Sequence, residues 1–215
     1  MTPDVPLPPA PKPPSAEALA KARAAFASEL TRPRRSWRTG VLRASGTIVG
    51  VVVVVAGVLL SVGACTLDFL SSRAVTLAAL ITVGVVTTWA SLRPRGRVGR
   101  LVSLGLVAAA AALIVLMRGA GTVSELPEWV CTVSHLGVGL APAAVAIVLL
   151  RNMAPNRLRA IVAGLAAGTT GAAVGEFGCA QSAGHVAVFH LSAWVGVALL
   201  VAFVSSKLTP RSYAP

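Results

Sequence analysis

Along this chain, long apolar stretches alternate with short segments that hold nearly all the charge. Apolar runs of about 17–25 residues cross the hydrocarbon core of a bilayer as helices. Six stretches qualify on length and composition, at Ala44–Ala64, Ala74–Leu92, Leu101–Met117, Trp129–Leu150, Ala160–Gly175 and Val186–Val204. Each must satisfy its own backbone hydrogen bonds in lipid. The pattern therefore predicts an all-α, polytopic membrane protein, with a six-helix transmembrane domain over residues 44–206 between a tail of residues 1–43 and a short tail of residues 207–215.

The N-terminal tail changes character along its length. Residues 1–14 are rich in proline and poor in apolar bulk, which predicts disorder or polyproline conformation. Ser15 suits a helix N-cap and Glu17 a first turn, and the Ala-rich run that follows predicts an amphipathic helix over residues 15–31. Leu19, Ala22, Phe26 and Leu30 recur at three- and four-residue steps and form one apolar stripe. Pro33 ends the helix before a basic juxtamembrane run at 32–43. Two uses of the helix stay open: lying on the inner leaflet, or docking its stripe in the groove of a soluble partner.

Charge adds direction. Of 19 Lys and Arg, only Arg73 and Arg118 lie on one side of the predicted spans, together with Asp68, Glu125, Glu128 and Glu176. The remaining basic residues lie in the tails and in the segments around Arg93–Arg100 and Arg151–Arg159. Short loops rich in Lys and Arg stay cytoplasmic, so both termini are expected in the cytoplasm. The net charge of +12 is then topology signal and contact with anionic lipid heads, with no direct nucleic-acid partner. Val62-Gly63-Ala64-Cys65 looks loosely like a lipoprotein cleavage box, but about forty residues precede the apolar run, so Cys65 is expected intact at the outer end of helix one.

Within the fifth span, Gly164 and Gly168, and then Gly171 and Gly175, form two small-xxx-small pairs. Small residues at that spacing allow close helix approach, which places this helix centrally. No Asp, Glu, Lys or Arg falls in the middle of a predicted span, and Pro142 is the only proline inside one. Transport routes usually carry an intramembrane ionisable residue, so a transporter is disfavoured. With no phosphate loop, paired carboxylates or nucleophile–base spacing, the chain is not expected to be an enzyme.

The chemistry that remains is thiol and imidazole. All three Cys and all three His fall at or near the less basic face: Cys65, Cys131 and His135, Cys179, His185 and His190. Cys131 and His135 are four apart and share a helix face, while a short turn brings Cys179, His185 and His190 together. Three readings stand side by side: a disulfide joining Cys131 and Cys179 in an oxidising compartment, a zinc-like metal site, or plain helix packing. No cofactor is required, and the metal reading alone would place a zinc-like ion at the Cys/His cluster.

These residues carry a family likeness. Cys131-Thr-Val-Ser-His135, Pro142, the basic loop Arg151-Asn-Met-Ala-Pro155, the small-residue helix Ala163–Gly175, and Cys179 followed by His185 resemble the NrsF-type membrane anti-sigma factors, in layout the CarR-like ones. The likeness is best over residues 129–206, and Cys179 stands further from His185 than in the family pattern. It implies that the N-terminal segment holds an extracytoplasmic-function sigma factor at the membrane, and that a stimulus at the outer Cys/His cluster releases it. The alternative is a small integral membrane redox- or metal-handling protein, or a complex subunit, without sigma binding. The tail discriminates, because only the first reading needs residues 15–31 as a protein-binding helix.

Overall fold

The computed structural model describes residues 15–31, 37–94, 96–118 and 127–208, without the side chains of 25–31. Residues 1–14, 32–36 of the basic run, 95, 119–126 and the tail beyond Leu208 lie outside the described residues. The chain divides into two units, 1–35 and 36–215.

The first unit is helix α1, Ala16–Thr31. Ser15 begins it, its hydroxyl accepting the Ala18 N–H at 3.2 Å, one of the donors a helix start leaves free. Lys21 reaches Glu17 one turn earlier at 3.1 Å, both exposed. Leu19 and Ala22 are exposed on this helix. Phe26 and Leu30 fall on its backbone, but their side chains lie outside the described residues.

The second unit is a helical bundle without a strand among the described residues. Its elements are α2 (Trp37–Ser61), α3 (Leu67–Ser72), α4 (Ala74–Leu92), α5 (Arg97–Leu116), α6 (Trp129–Leu150), α7 (Arg157–Gly178), α8 (Ala183–His185), a π-helical turn (Val186–His190) and α9 (Leu191–Lys207). Six of the helical stretches are long and apolar enough to span a membrane, the last running from Ala183 through Lys207. The chain is a multi-pass membrane protein.

Spans four and two start and stop where hydropathy places them, whereas the others run longer. Helix α2 begins at Trp37 rather than Ala44, α5 at Arg97 rather than Leu101, and α7 covers 157–178 rather than 160–175. The reason is that a charged residue ends a hydrophobic run without ending a helix. Arg100 and Arg159 sit inside α5 and α7, each almost wholly buried. They spend their donors on carbonyls: Arg100 Nη2 on Arg93 O at 2.8 Å, and Arg159 on Ala154 O at 2.8 Å and Pro94 O at 3.1 Å. Pro142 stays inside a continuous α6.

Helix α7 is the axis of the bundle. It packs against α4, α6 and α9, and less extensively against α2 and α5. Its glycines make that possible. A Cβ at Gly164 would come within 2.6 Å of the Ala198 Cα, so α9 crosses here at backbone contact. At Gly168 the missing side chain makes room for the Trp194 indole, whose Nε1 donates to Leu165 O at 2.7 Å. Two apolar clusters flank this axis. One gathers Leu80, Ile114, Phe177 and Val186 towards the less basic end, and the other Leu92, Leu150, Ala163 and Val201 towards the basic end. Trp37 and Trp89 pack edge-to-face at the basic end, with Arg93 4.9 Å over Trp89, and Trp129 is exposed at the other end. Aromatic rings at both ends of a bundle suit the two interfaces of a bilayer.

Candidate functional site

At the less basic end the structure gathers sulfur and imidazole around the top of α7. Cys131 lies in the first turn of α6, and Cys179 is the residue on which α7 ends. Their sulfurs are 4.0 Å apart. The ligand atoms of Cys131, Cys179, His185 and His190 all lie within 4.8 Å of one another, and three of the four residues are buried.

The π-helical turn explains how His185 and His190 both reach this group. Residues five apart on an α-helix point about 140° away from each other. A π-turn instead closes its hydrogen bond from residue i to i+5, as Leu191 N does to Val186 O, which returns residues five apart to one face. The two rings stand 5.5 Å apart between centroids. Gly175 supplies the space for His190: a Cβ there would meet the ring's Cε1 at 2.6 Å. Sequence periodicity reads this stretch as ordinary helix, so the shared face is invisible to it.

His135 has a different place. It is buried one turn deeper, with its Nε2 3.2 Å from Gly168 O, and it packs edge-to-face with His190 at 5.8 Å. The missing side chain of Gly171 accommodates it, since a Cβ there would lie 2.6 Å from His135 O. It is not one of the four converging donors. The four-residue spacing from Cys131 thus puts the two side chains in one sector but at different depths. Cys65 is buried in the turn after α2, its Sγ 3.5 Å from Thr66 O, and is also outside the group.

Next to the thiols lies a buried ion pair. Arg118 and Glu176 meet at 2.8 Å, with side chains 1% and 2% exposed. Arg118 also donates to Gly175 O at 3.2 Å and to Cys179 O. The second carboxylate oxygen receives Thr76 Oγ1 at 3.3 Å and faces Arg73 at 4.0 Å. This corrects the placement of Glu176 in an outer loop: it is inside a span, because α7 continues to Gly178 and Arg118 neutralises the charge. The guanidinium supplies a donor to Cys179 O, a carbonyl that the end of α7 leaves free, and a second donor to Gly175 O, which already accepts the Cys179 N–H, so it fixes the backbone that carries Cys179. Sequence reading missed the pair, since 57 residues lie between its members and both look like loop charges.

The donor set fits a borderline-soft metal. A tetrahedral zinc has bonds of about 2.0–2.3 Å to His and Cys, so its ligand atoms stand roughly 3.3–3.8 Å apart. A spread of up to 4.8 Å needs only a small contraction. Both ring nitrogens of His185 and the Nε2 of His190 have no protein hydrogen-bond partner, as free ligand nitrogens would. The same two sulfurs, 4.0 Å apart, would have to close to about 2.05 Å to form a disulfide.

Six membrane-spanning stretches around a buried thiol–imidazole cluster define a polytopic membrane protein with a chemically sensitive end. Over 198 residues the chain is 44% identical to the carotenogenesis protein CarR of Myxococcus xanthus, a match that covers 92% of this chain and 89% of that one. The chain belongs to the CarR-like family of membrane anti-sigma factors. No family model matches it, and no solved structure does.

Proposed function

We propose that this protein holds an extracytoplasmic-function sigma factor at the bacterial inner membrane through α1, and frees it when the Cys/His cluster is bridged. Both termini then lie in the cytoplasm and the cluster faces the opposite compartment. The observation that carries the reading is the 4.0 Å approach of the Cys131 and Cys179 sulfurs, which brings two reactive groups together across the α6–α7 packing. Bridging them by oxidation removes two electrons and two protons to an external oxidant and ties the first turn of α6 to the end of α7. A ligand shifts a two-state bundle only by its differential affinity for the two states. A covalent bond or a metal formed in one packing and not the other supplies that difference.

Two further features support the reading. Leu19 and Ala22 are exposed on α1, leaving an apolar stripe for a partner groove. The donors at the cluster come from α6, the end of α7 and the π-turn, so any closure there acts on the most deeply packed helix. A metal as stimulus is favoured by the four convergent donors and the unpartnered imidazole nitrogens. No step requires direct contact with nucleic acid. The decisive experiment captures partners with a tagged 1–43 fragment and then repeats the capture with the full chain in membranes, with and without oxidant or zinc. Capture of a sigma factor that is released on treatment of the full chain supports the proposal. Capture of none, with the fragment instead binding lipid vesicles, removes it.

A further inference from the structure

The opposite, basic end of the bundle carries a second feature that the sensing reading does not use. Between the end of α6, the turn leading to α7 and the last turn of α9 lies a cavity of about 360 Å³. Its polar wall is formed by Arg151, Arg157, Arg159 and Ser205, and its apolar wall by Leu150, Met153 and Leu208. We propose that this cavity seats the phosphate of an anionic membrane phospholipid, with the acyl chains running down the apolar side.

Among the described residues of the bundle the acidic ones are Asp68, Glu128 and Glu176, all in or beside the helix ends opposite the cavity. The bundle therefore brings three arginines to one cavity, and among the described residues no carboxylate lines it. Arg159 is 6% exposed, which is a costly place for an uncompensated cation. Its two terminal nitrogens are spent on Ala154 O and Pro94 O. That leaves its Nε, the Arg151 Nε and the Ser205 hydroxyl buried without a protein partner. Guanidinium groups match phosphate oxygens in charge and fork geometry.

Location selects the source of the phosphate. The cavity lies where α6, α7 and α9 reach their basic ends, the depth at which spanning helices meet the headgroup layer. Asn156 caps the first turn of α7 by accepting the Arg159 N–H at 2.9 Å, so the positive end of the longest-buried helix also points this way. Basic pockets between transmembrane helices at this level take lipid head groups. A soluble phosphate would satisfy the arginines but leave the wall of Leu150, Met153 and Leu208 without a ligand part to cover it.

The test uses the full chain purified in an uncharged detergent, titrated with phosphatidylglycerol and read by native mass spectrometry and by thermal stability. One phosphatidylglycerol per chain should be retained, with phosphatidylcholine failing to replace it. Arg151→Gln with Arg157→Gln should weaken retention about thirtyfold, two surface-level charges being removed. Ser205→Phe, which fills the cavity while keeping every charge, should lower it similarly. Unchanged lipid-free melting keeps these losses separate from misfolding. Arg97→Gln, at the start of α5 on the same end, should leave retention as it is. An equal loss in Arg97→Gln would mean diffuse surface attraction and overturn the site. Equal competition by glycerol phosphate would assign the cavity to a free phosphate and overturn the lipid assignment. Retention unaffected by both cavity variants would overturn it altogether.

Discussion

The Cys131 sulfur lies 4.0 Å from the Cys179 sulfur, although the two residues are 48 apart in the chain and stand on different helices. A mild thiol oxidant applied to membranes should therefore form an internal disulfide between them without cross-linking chains. Alkylation with a mass-tagged maleimide should show two of the three thiols lost and Cys65 retained. Either Cys131→Ser or Cys179→Ser should leave its companion free. A bridge that formed equally well in the Cys179→Ser variant would contradict the pairing. Prior addition of zinc should slow labelling of the same two thiols, and a chelator should restore it.

The buried Arg118–Glu176 pair predicts a strong asymmetry between single and double substitution. Removing one partner strands the other charge in a low-dielectric interior, at a cost of about 3–5 kcal/mol. Glu176→Leu and Arg118→Leu should each lower the unfolding temperature in detergent by a large margin. The double variant should recover much of the loss, though Arg73, 4.0 Å from the carboxylate, limits full recovery. Strict additivity of the two single effects would show that the pair is not coupled.

Glycine at 175 is expected to matter through His190 rather than through the helix. A methyl group there overlaps the ring, and overpacking a filled interior costs roughly 1–3 kcal/mol. Gly175→Ala should also move His190 away from the thiols and weaken zinc protection of Cys131 and Cys179. Gly46→Ala, in α2 with nothing within 4 Å of the added carbon, is the control and should change neither.

For the N-terminal helix, the expectation rests on its apolar stripe. Phe26→Ala or Leu30→Ala should each reduce sigma-factor binding about thirtyfold, the effect of losing one buried anchor worth about 2 kcal/mol. Binding of the 1–43 fragment can be followed by anisotropy. If the double variant bound the captured partner as tightly as the parent, α1 would not be the docking element.

Orientation follows from the distribution of arginine. In a background lacking native cysteines, Ser72→Cys should react with an impermeant maleimide in intact spheroplasts, and Asn152→Cys only after lysis. Both positions are exposed, so access does not confuse the comparison. The reverse pattern would invert the bundle and place the thiol cluster in the cytoplasm.

Hydropathy alone determined that six helices cross a membrane, because the cost of an unsatisfied backbone in lipid leaves helices as the only form for such runs. The glycine pattern of residues 164–175 likewise announced a helix that others approach closely, and the helix at 16–31 was legible from Ser15 and the alanines behind it. Gathering the three cysteines and three histidines at one end needed only the count of spans between them. What the linear order could not contain was depth and rotation. His190 joins His185 because a π-turn rotates the backbone between them, and His135 falls short of the cluster because Gly171 lets it sink against α7. Glu176 is buried inside α7 because a partner 58 positions earlier folds back beside it. Such choices depend on which side chain fills which gap between helices, and that is settled only when all six are packed together.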